Sequence, residues 1–181
     1  MAGKRFVAPL LFGIALLFGG RAPAADRGAS AEPGMGLAFG DFDTRDSEVA
    51  VTHVVLMRIK PTKMYMGASG ERATVTFEDG RFYSPNLSPG TYAVNGFFSG
   101  NQFFALEKSL RMNTVQVESG RASYAGSYRL QVEKGGLLRR YKGSFERIDA
   151  PDAESTLRRS LAAELAGSGW EAALKDAQAP R

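Results

Sequence analysis

The sequence lacks cysteine altogether, and it contains a single histidine, His53, among its 181 residues. The absence of cysteine excludes disulfides, cysteine-ligated zinc sites, a thiol nucleophile and a lipid-modified N-terminal cysteine. One histidine excludes histidine-rich metal sites and mechanisms that need two imidazoles. The domain must therefore be held together by burial of its core, which a chain of this length can achieve.

No hydrophobic run is long enough to span a bilayer, and the longest run lies near the N-terminus. Residues 6–20 carry no charge, follow Lys4 and Arg5, and precede the small-residue site Ala22-Pro23-Ala24. This order is typical of a secretory signal peptide, and about 15 apolar residues are fewer than the roughly 18 that span a bilayer. We interpret residues 1–24 as a signal peptide, with an uncleaved anchor as the alternative. Cleavage predicts an exported protein, periplasmic or extracellular or peripheral to the envelope, without a transmembrane segment.

An excess of charge of either sign is absent once this leader is set aside. The leader holds three of the 23 basic residues, Lys4, Arg5 and Arg21, and no acidic residue. The remainder carries 20 basic and 19 acidic residues, a net charge of +1. Such a balanced chain has no field that would attract nucleic acid, so we expect no nucleic-acid partner.

The rest of the chain divides by composition into three parts. Residues 25–48 combine small residues, glycine, proline and an acidic turn-prone stretch, and we expect a flexible lead-in. Residues 49–148 alternate apolar and polar positions, beginning with a strand over 49–60 and including a hairpin at Glu78-Asp79-Gly80. About eight strands with turns every 8–12 residues, and no crossover helix, predict a mainly β fold, an antiparallel sandwich.

The C-terminal part, residues 149–181, changes period and predicts helix. Leu157, Leu161 and Leu165 recur every four residues, which places them on one helical face. Gly167 suits the end of that helix, and Trp170 begins a short second helix. We expect this extension to pack on the sandwich, because its leucine face needs an apolar surface to cover.

Part of this domain resembles a known family. The segment 77–94 reads Asp-Gly-x-Phe, a short spacer, Leu-x-Pro-Gly-x-Tyr and a strand, and it is similar to carboxypeptidase regulatory-like and transthyretin-like domains of small exported bacterial proteins. A second run, Val115-x-Val117-x-x-Gly120-x-x-x-Tyr124-x-Gly126, is similar to a group of small exported bacterial proteins. The resemblance implies a prealbumin-like or immunoglobulin-like β-sandwich that is usually non-catalytic. It supplies no catalytic residues.

The most informative candidate site is a pair of phenylalanine doublets, Phe97-Phe98 and Phe103-Phe104, around a turn. Adjacent residues of a strand point to opposite faces, so one member of each doublet is expected outside. We predict a partner or glycan surface made of Phe98, Asn101, Gln102 and Phe104, since exposed aromatics beside amides can stack on a sugar or anchor a protein. The alternative, which the helical leucines favour, is that the C-terminal helix covers this face.

Other candidates favour structural interpretations. His53 is expected to be buried and to donate to a backbone carbonyl. The acidic stretch lacks the glycine and terminal glutamate of a calcium loop, so we expect a solvated turn. A basic strand is expected to be a charge-protected edge. The acidic stretch comprises Asp41, Asp43, Asp46 and Glu48, and the basic strand comprises Arg139, Arg140, Lys142 and Arg147.

No nucleophile–base pair, phosphate loop or dinucleotide fingerprint is present, so no catalytic residue, metal or cofactor is predicted. The sequence therefore favours an exported non-catalytic β-sandwich that serves as an interaction or structural accessory module in the bacterial cell envelope, with an envelope protein as partner. A carbohydrate-binding module that recognises cell-wall glycan is the first alternative. A carboxylate-dependent hydrolase is the second, because such an enzyme needs only two acidic groups that need not be neighbours in sequence.

Overall fold

The computed structural model describes residues 30–61, 64–65, 68–69, 72–106, 114–133 and 142–176. Strands dominate these residues, and two helices follow them. The strands are β1 (Gly36–Asp43), β2 (His53–Lys60), β3 (Met64–Tyr65), β4 (Ala68–Ser69), β5 (Arg72–Glu78), β6 (Arg81–Leu87), β7 (Gly90–Ser99), β8 (Gln102–Ala105), β9 (Thr114–Val117), β10 (Ala122–Glu133) and β11 (Lys142–Ile148). The helices are α1 (Ala153–Glu164) and α2 (Trp170–Asp176). The predicted mainly β class is confirmed.

Nine of the described strands form one curled sheet. Its order is β11-β10-β1-β6-β5-β2-β7-β8, and β9 pairs with β7 on the edge that β8 also uses. Strands β3 and β4 form a separate two-stranded pair. Strand β1 runs parallel to β10, whereas the other described pairs are antiparallel. The sheet is therefore mixed, and the prediction of a purely antiparallel sheet is wrong at the β1–β10 pair.

The strand that makes the sheet mixed lies in the segment expected to be flexible. Within 25–48, residues Gly36–Asp43 form β1, which sits between β6 and β10. Leu37 and Phe39 pack with the helices, while Ala38 and Phe42 pack inside the curled sheet. A strand covered on both faces shows no alternation of apolar and polar residues, which explains why the sequence pattern missed it. The next strand begins at His53 rather than at residue 49.

Aromatic side chains fill the inside of the curl. The Phe42 ring packs edge-on against Phe82, Tyr128 and Phe145 at centroid distances of 5.3–5.6 Å. Each such side chain contributes about 1.5–3 kcal/mol when it is fully buried. The same cluster extends to the other half of the sheet through Val54, Leu56, Tyr92, Val94, Phe97, Phe104, Val115 and Val117.

The two helices cover the outer face of β1 and β10. Leu161, Leu165, Trp170 and Leu174 are buried there against Leu37, Phe39 and Ala122, which confirms the predicted packing of the C-terminal extension on the sheet. Gly167, with φ of +79°, lies just after α1 in the left-handed conformation that glycine accommodates. Among the described residues, neither helix has the length and apolarity required to cross a bilayer.

The hairpin between β5 and β6 follows the prediction. Asp79 and Gly80 have φ of +50° and +78°, the positive values that a two-residue type I′ turn requires at both positions. Strand β6 then continues through Leu87. At the start of β7 the buried Tyr92 hydroxyl donates to the Ser88 carbonyl oxygen at 2.9 Å, which fastens the connection between β6 and β7.

Candidate functional site

The phenylalanine doublets lie opposite each other in the β7–β8 hairpin. A two-residue loop, Gly100 and Asn101, joins the strands, and Gly100 has a φ of +56°. The register pairs Phe97 with Phe104 and Phe98 with Phe103. Residues directly opposite in an antiparallel pair share one face of the sheet, so the hairpin carries one phenylalanine pair inside and one outside.

The inner pair contains a residue predicted to be outside. The Phe104 side chain is 4% exposed, and its ring stacks on Phe97 with a centroid distance of 4.9 Å and an angle of 2°. The prediction of Phe104 as a surface residue is therefore wrong. The residue opposite Phe98 is Phe103, which is 40% exposed and stands out as the exposed large hydrophobic side chain of the described residues. Alternation along the strand predicts that one of Phe103 and Phe104 is exposed, but only the register with β7 decides which of the two it is.

Three rings form what we call the aromatic face: His53, Phe98 and Phe103. The centroids of Phe98 and Phe103 are 5.1 Å apart, and His53 meets Phe98 edge-on at 6.5 Å. His53 is partly exposed, and its Nδ1 lies 3.2 Å from the hydroxyl of Thr52. The expectation of a buried histidine that donates to a backbone carbonyl is wrong. The imidazole instead forms one border of an exposed surface.

The absence of a side chain at Gly96 makes room for the Phe103 ring on the aromatic face. A Cβ atom added at Gly96 would lie 2.6 Å from Cζ of the Phe103 ring, far closer than such atoms approach. The missing side chain therefore lets the Phe103 ring lie across the backbone of β7. Asn101 and Gln102 were also predicted to belong to this surface, and both are exposed. Asn101 lies in the turn, whereas Gln102 precedes Phe103 in β8 and therefore points to the opposite face of the sheet.

The helices do not cover the aromatic face within the described part of the chain. Their buried residues contact Leu37, Phe39 and Ala122. These residues belong to β1 and β10, which lie near the opposite end of the strand order from β8. The alternative in which the helical leucines bury Phe98 is therefore wrong. The leucines instead pack against β1, a strand that the sequence pattern did not predict.

The hairpin belongs to a long uncharged segment. Between Arg81 and Glu107 the sequence has no Asp, Glu, Lys or Arg over 25 residues, in a chain of which 23% of the residues are charged. These residues include most of β6, all of β7 and all of β8. The candidate surface can therefore offer apolar contacts and neutral hydrogen-bonding groups, and it offers no ion pairs of its own.

A second polar cluster lies at a bulge in β10. The register between β1 and β10 shifts after Phe39, so that Tyr124 and Ser127 both reach Asp41. The Ser127 hydroxyl donates to Asp41 Oδ1 at 2.7 Å, and the Tyr124 hydroxyl donates to the same oxygen at 3.2 Å. Gly126, at the bulge, has a φ of +115°, and the Arg147 guanidinium lies over it. The sequence pattern places Asp41 in the acidic stretch and gives no indication of its contact with Ser127.

The electrostatics of this cluster follow from partial burial. Desolvation raises the pKa of Asp41, and the bonds from Ser127 and Tyr124 oppose that rise. Desolvation likewise raises the pKa of Tyr124 to about 12. An open groove of about 490 Å³ runs beside the cluster, between the bulge and the residues that lead into α1. Ser127 lines this groove but is only 2% exposed, and its hydrogen bonds with Asp41 and Tyr124 brace the bulge.

The acidic stretch does not gather around one point. Asp41 turns towards β10, whereas the Asp43 carboxylate receives two bonds from the Arg45 guanidinium at 2.8 and 2.9 Å. The bonds from Arg45 hold the pKa of Asp43 well below its usual range. Among the residues that the structure describes, no three His, Cys, Asp or Glu side chains lie together in a way that could hold a metal ion.

Comparison with known proteins gives no family model, no curated protein and no solved structure that matches this chain.

Proposed function

We propose that this protein is an exported, non-catalytic interaction module of the bacterial cell envelope, and that it binds a protein partner through the aromatic face. The observation that carries the proposal is the exposed Phe103 ring, which Phe98 and the backbone of Gly96 support from below. The leader-like sequence at residues 1–24 supports export to the periplasm or beyond.

The energetics of association favour such a surface. Aromatic side chains held in place by neighbours lose little conformational freedom on binding, and they are enriched among the residues that dominate interface energies. Covering a phenylalanine contributes about 1.5–3 kcal/mol. The absence of charged residues from the segment 82–106 further reduces the desolvation that a partner must overcome at Phe103.

The finer fold prediction forms part of this proposal. A prealbumin-like sandwich of the carboxypeptidase regulatory-like kind would usually serve as a non-catalytic accessory domain. The bond from the Tyr92 hydroxyl to the carbonyl of Ser88 supports it, because a tyrosine that bonds to backbone a few residues upstream marks strand corners in sandwich folds. The parallel pairing of β1 with β10 is the feature that such a sandwich must accommodate.

Carbohydrate binding is the second candidate, and one observation favours it. The amide of Asn101 is exposed in the turn two residues before Phe103, so that a sugar stacked on the ring could also bond to this amide. Phenylalanine lacks the polar group by which tyrosine or tryptophan would also bond to a sugar. This difference places a protein partner first.

The experiment is capture of the tagged protein from its own envelope fraction after mild cross-linking in cells. Wild type is compared with Phe103→Ser and with Gln131→Ala, an exposed position on β10 far along the sheet order. We expect one enriched envelope protein, reduced at least about tenfold by Phe103→Ser and unchanged by Gln131→Ala. Melting temperatures confirm that both variants fold.

Two results would contradict the proposal. Equal enrichment with Phe103→Ser would remove the aromatic face as the contact surface. Retention of the wild-type bait on cell-wall material, without an enriched protein, would make carbohydrate binding the leading function.

A further inference from the structure

We infer that the partner binds by adding an extended strand to the outer edge of β8, an inference that depends on the proposed function. Strand β8 is the last strand in the sheet order. Among the described residues, no strand pairs with it on the edge opposite β7. The aromatic face ends at this edge, since Phe103 belongs to β8 itself.

The hydrogen-bond register shows which backbone groups face outward. The Leu106 N–H donates to the Asn95 carbonyl oxygen at 2.9 Å, so these two residues form a hydrogen-bonded pair. Bonded and non-bonded pairs alternate along an antiparallel ladder. The pairs of Phe103 with Phe98 and of Ala105 with Gly96 are then non-bonded, and the backbone N–H and C=O of Phe103 and Ala105 point away from β7.

The two ends of the sheet differ in charge. At one end β11 carries the exposed charged residues Glu146 and Arg147. Charged side chains on an edge strand discourage the addition of another strand. The edge position of this predicted basic strand is confirmed, while Arg139 and Arg140 lie outside the described residues. At the other end β8 reads Gln-Phe-Phe-Ala, with neither charge nor proline. One edge is protected, and the other has the composition of a docking edge.

This contrast defines the chemistry of the occupant. A strand added beside β8 places alternate side chains next to Phe103 on the outside and next to the Phe104 layer on the inside. Because β8 and the rest of the segment 82–106 lack charged residues, a matching segment is uncharged and has β-branched or aromatic residues at alternate positions. The occupant we infer is such a segment of the envelope partner.

The test uses a defined and uncharged probe, a labelled and end-capped peptide with the sequence Gln-Thr-Val-Thr-Val-Thr-Gln. Its binding to the whole protein is measured by fluorescence anisotropy for wild type, Ala105→Pro and Ala105→Ser. Proline at 105 removes an N–H that points outward, and the preceding residue is already extended, so the β7–β8 ladder is preserved. Serine at the same position keeps the N–H and serves as the matched control.

We expect Ala105→Pro to weaken peptide binding about tenfold or more and Ala105→Ser to leave it within about twofold. A peptide N-methylated at its valines should lose affinity for wild type to the same degree. No binding of the unmodified peptide, or equal binding by Ala105→Pro, would overturn strand addition. A dimer of the free protein that Ala105→Pro converts to monomer would identify a second copy as the occupant and overturn the partner segment.

Envelope capture separates this inference from the proposed function. Loss of the envelope protein with Phe103→Ser but full retention with Ala105→Pro would leave the aromatic face as the contact surface and remove strand addition. Retention with both variants would remove the proposed function itself.

Discussion

Two aspartates at neighbouring positions on one face of β1 have opposite pKa shifts. Asp41 is partly buried at the β10 bulge, and its desolvation raises its pKa. Asp43, two residues later, accepts bonds from Arg45 that lower its pKa. The same residue type therefore influences stability in opposite directions, according to whether burial or a guanidinium dominates its surroundings.

The two aspartates predict opposite pH dependence. Stability from Asp41 is present below the ordinary carboxyl pKa of 3.8 and is lost as pH rises through its raised value. Stability from Asp43 is present above 3.8 and is lost as pH falls through its lowered value. From about pH 3 to pH 6, the free energy of unfolding of Asp41→Asn should therefore rise relative to wild type. That of Asp43→Asn should fall over the same range.

Urea unfolding at several pH values measures both differences. Parallel pH profiles for wild type and the two variants would contradict the opposed roles of the aspartates.

At the scale of single residues, sequence could identify the hairpin but not its exposed ring. Alternation along a strand required one phenylalanine of each doublet to be outside. The choice between Phe103 and Phe104 depends on the register with β7, which the turn length fixes. The position of Asn101 in the loop was predictable because the turn residues themselves indicated it.

At the scale of elements, the attachment of α1 to the sheet involves a buried cation. The Arg158 guanidinium lies 5.0 Å from the centre of the Phe39 ring and donates to the Ala122 carbonyl oxygen at 3.0 Å. Glu154, one turn earlier in α1, pairs with Arg158 at 2.8 Å. Arg158 thereby links the helix to both β1 and β10, whereas its neighbour Arg159 is exposed.

Arg158→Ala should lower the free energy of unfolding by about 2–4 kcal/mol, because it removes a charged hydrogen bond and a cation–π contact. Arg159→Ala, the matched control one residue away, should change it by less than about 0.5 kcal/mol. Urea denaturation of both variants measures the difference. A loss in Arg158→Ala no larger than that in Arg159→Ala would show that α1 is held by its leucines alone.

The helices were predictable from the spacing of their leucines, but β1 was not. Its glycines and its burial on both faces remove the alternation that marks a half-exposed strand. Gly36 and Gly40 stand where a side chain would collide with the backbone of Glu118 and with the Phe82 ring, respectively. The glycines that resemble a flexible linker in sequence are thus sites of close packing.

At the scale of the whole molecule, composition and turn spacing predicted a mainly β domain with a helical extension. They did not predict the parallel β1–β10 pair, because its partners are about 85 residues apart and local sequence does not encode their direction. The same global arrangement places the helices over β1 and leaves β8 at the far end of the sheet. The candidate surface follows from this division of the molecule into a covered side and an uncharged hairpin.

The most direct measurement is site-specific photocross-linking in living cells, with a benzoylphenylalanine placed at Phe103 or, as a control, at Gln131. The account predicts one discrete adduct with an envelope protein from position 103 and none from position 131. The absence of an adduct at 103, or the same adducts from both positions, would contradict the claim that the aromatic face is where this protein binds its partner.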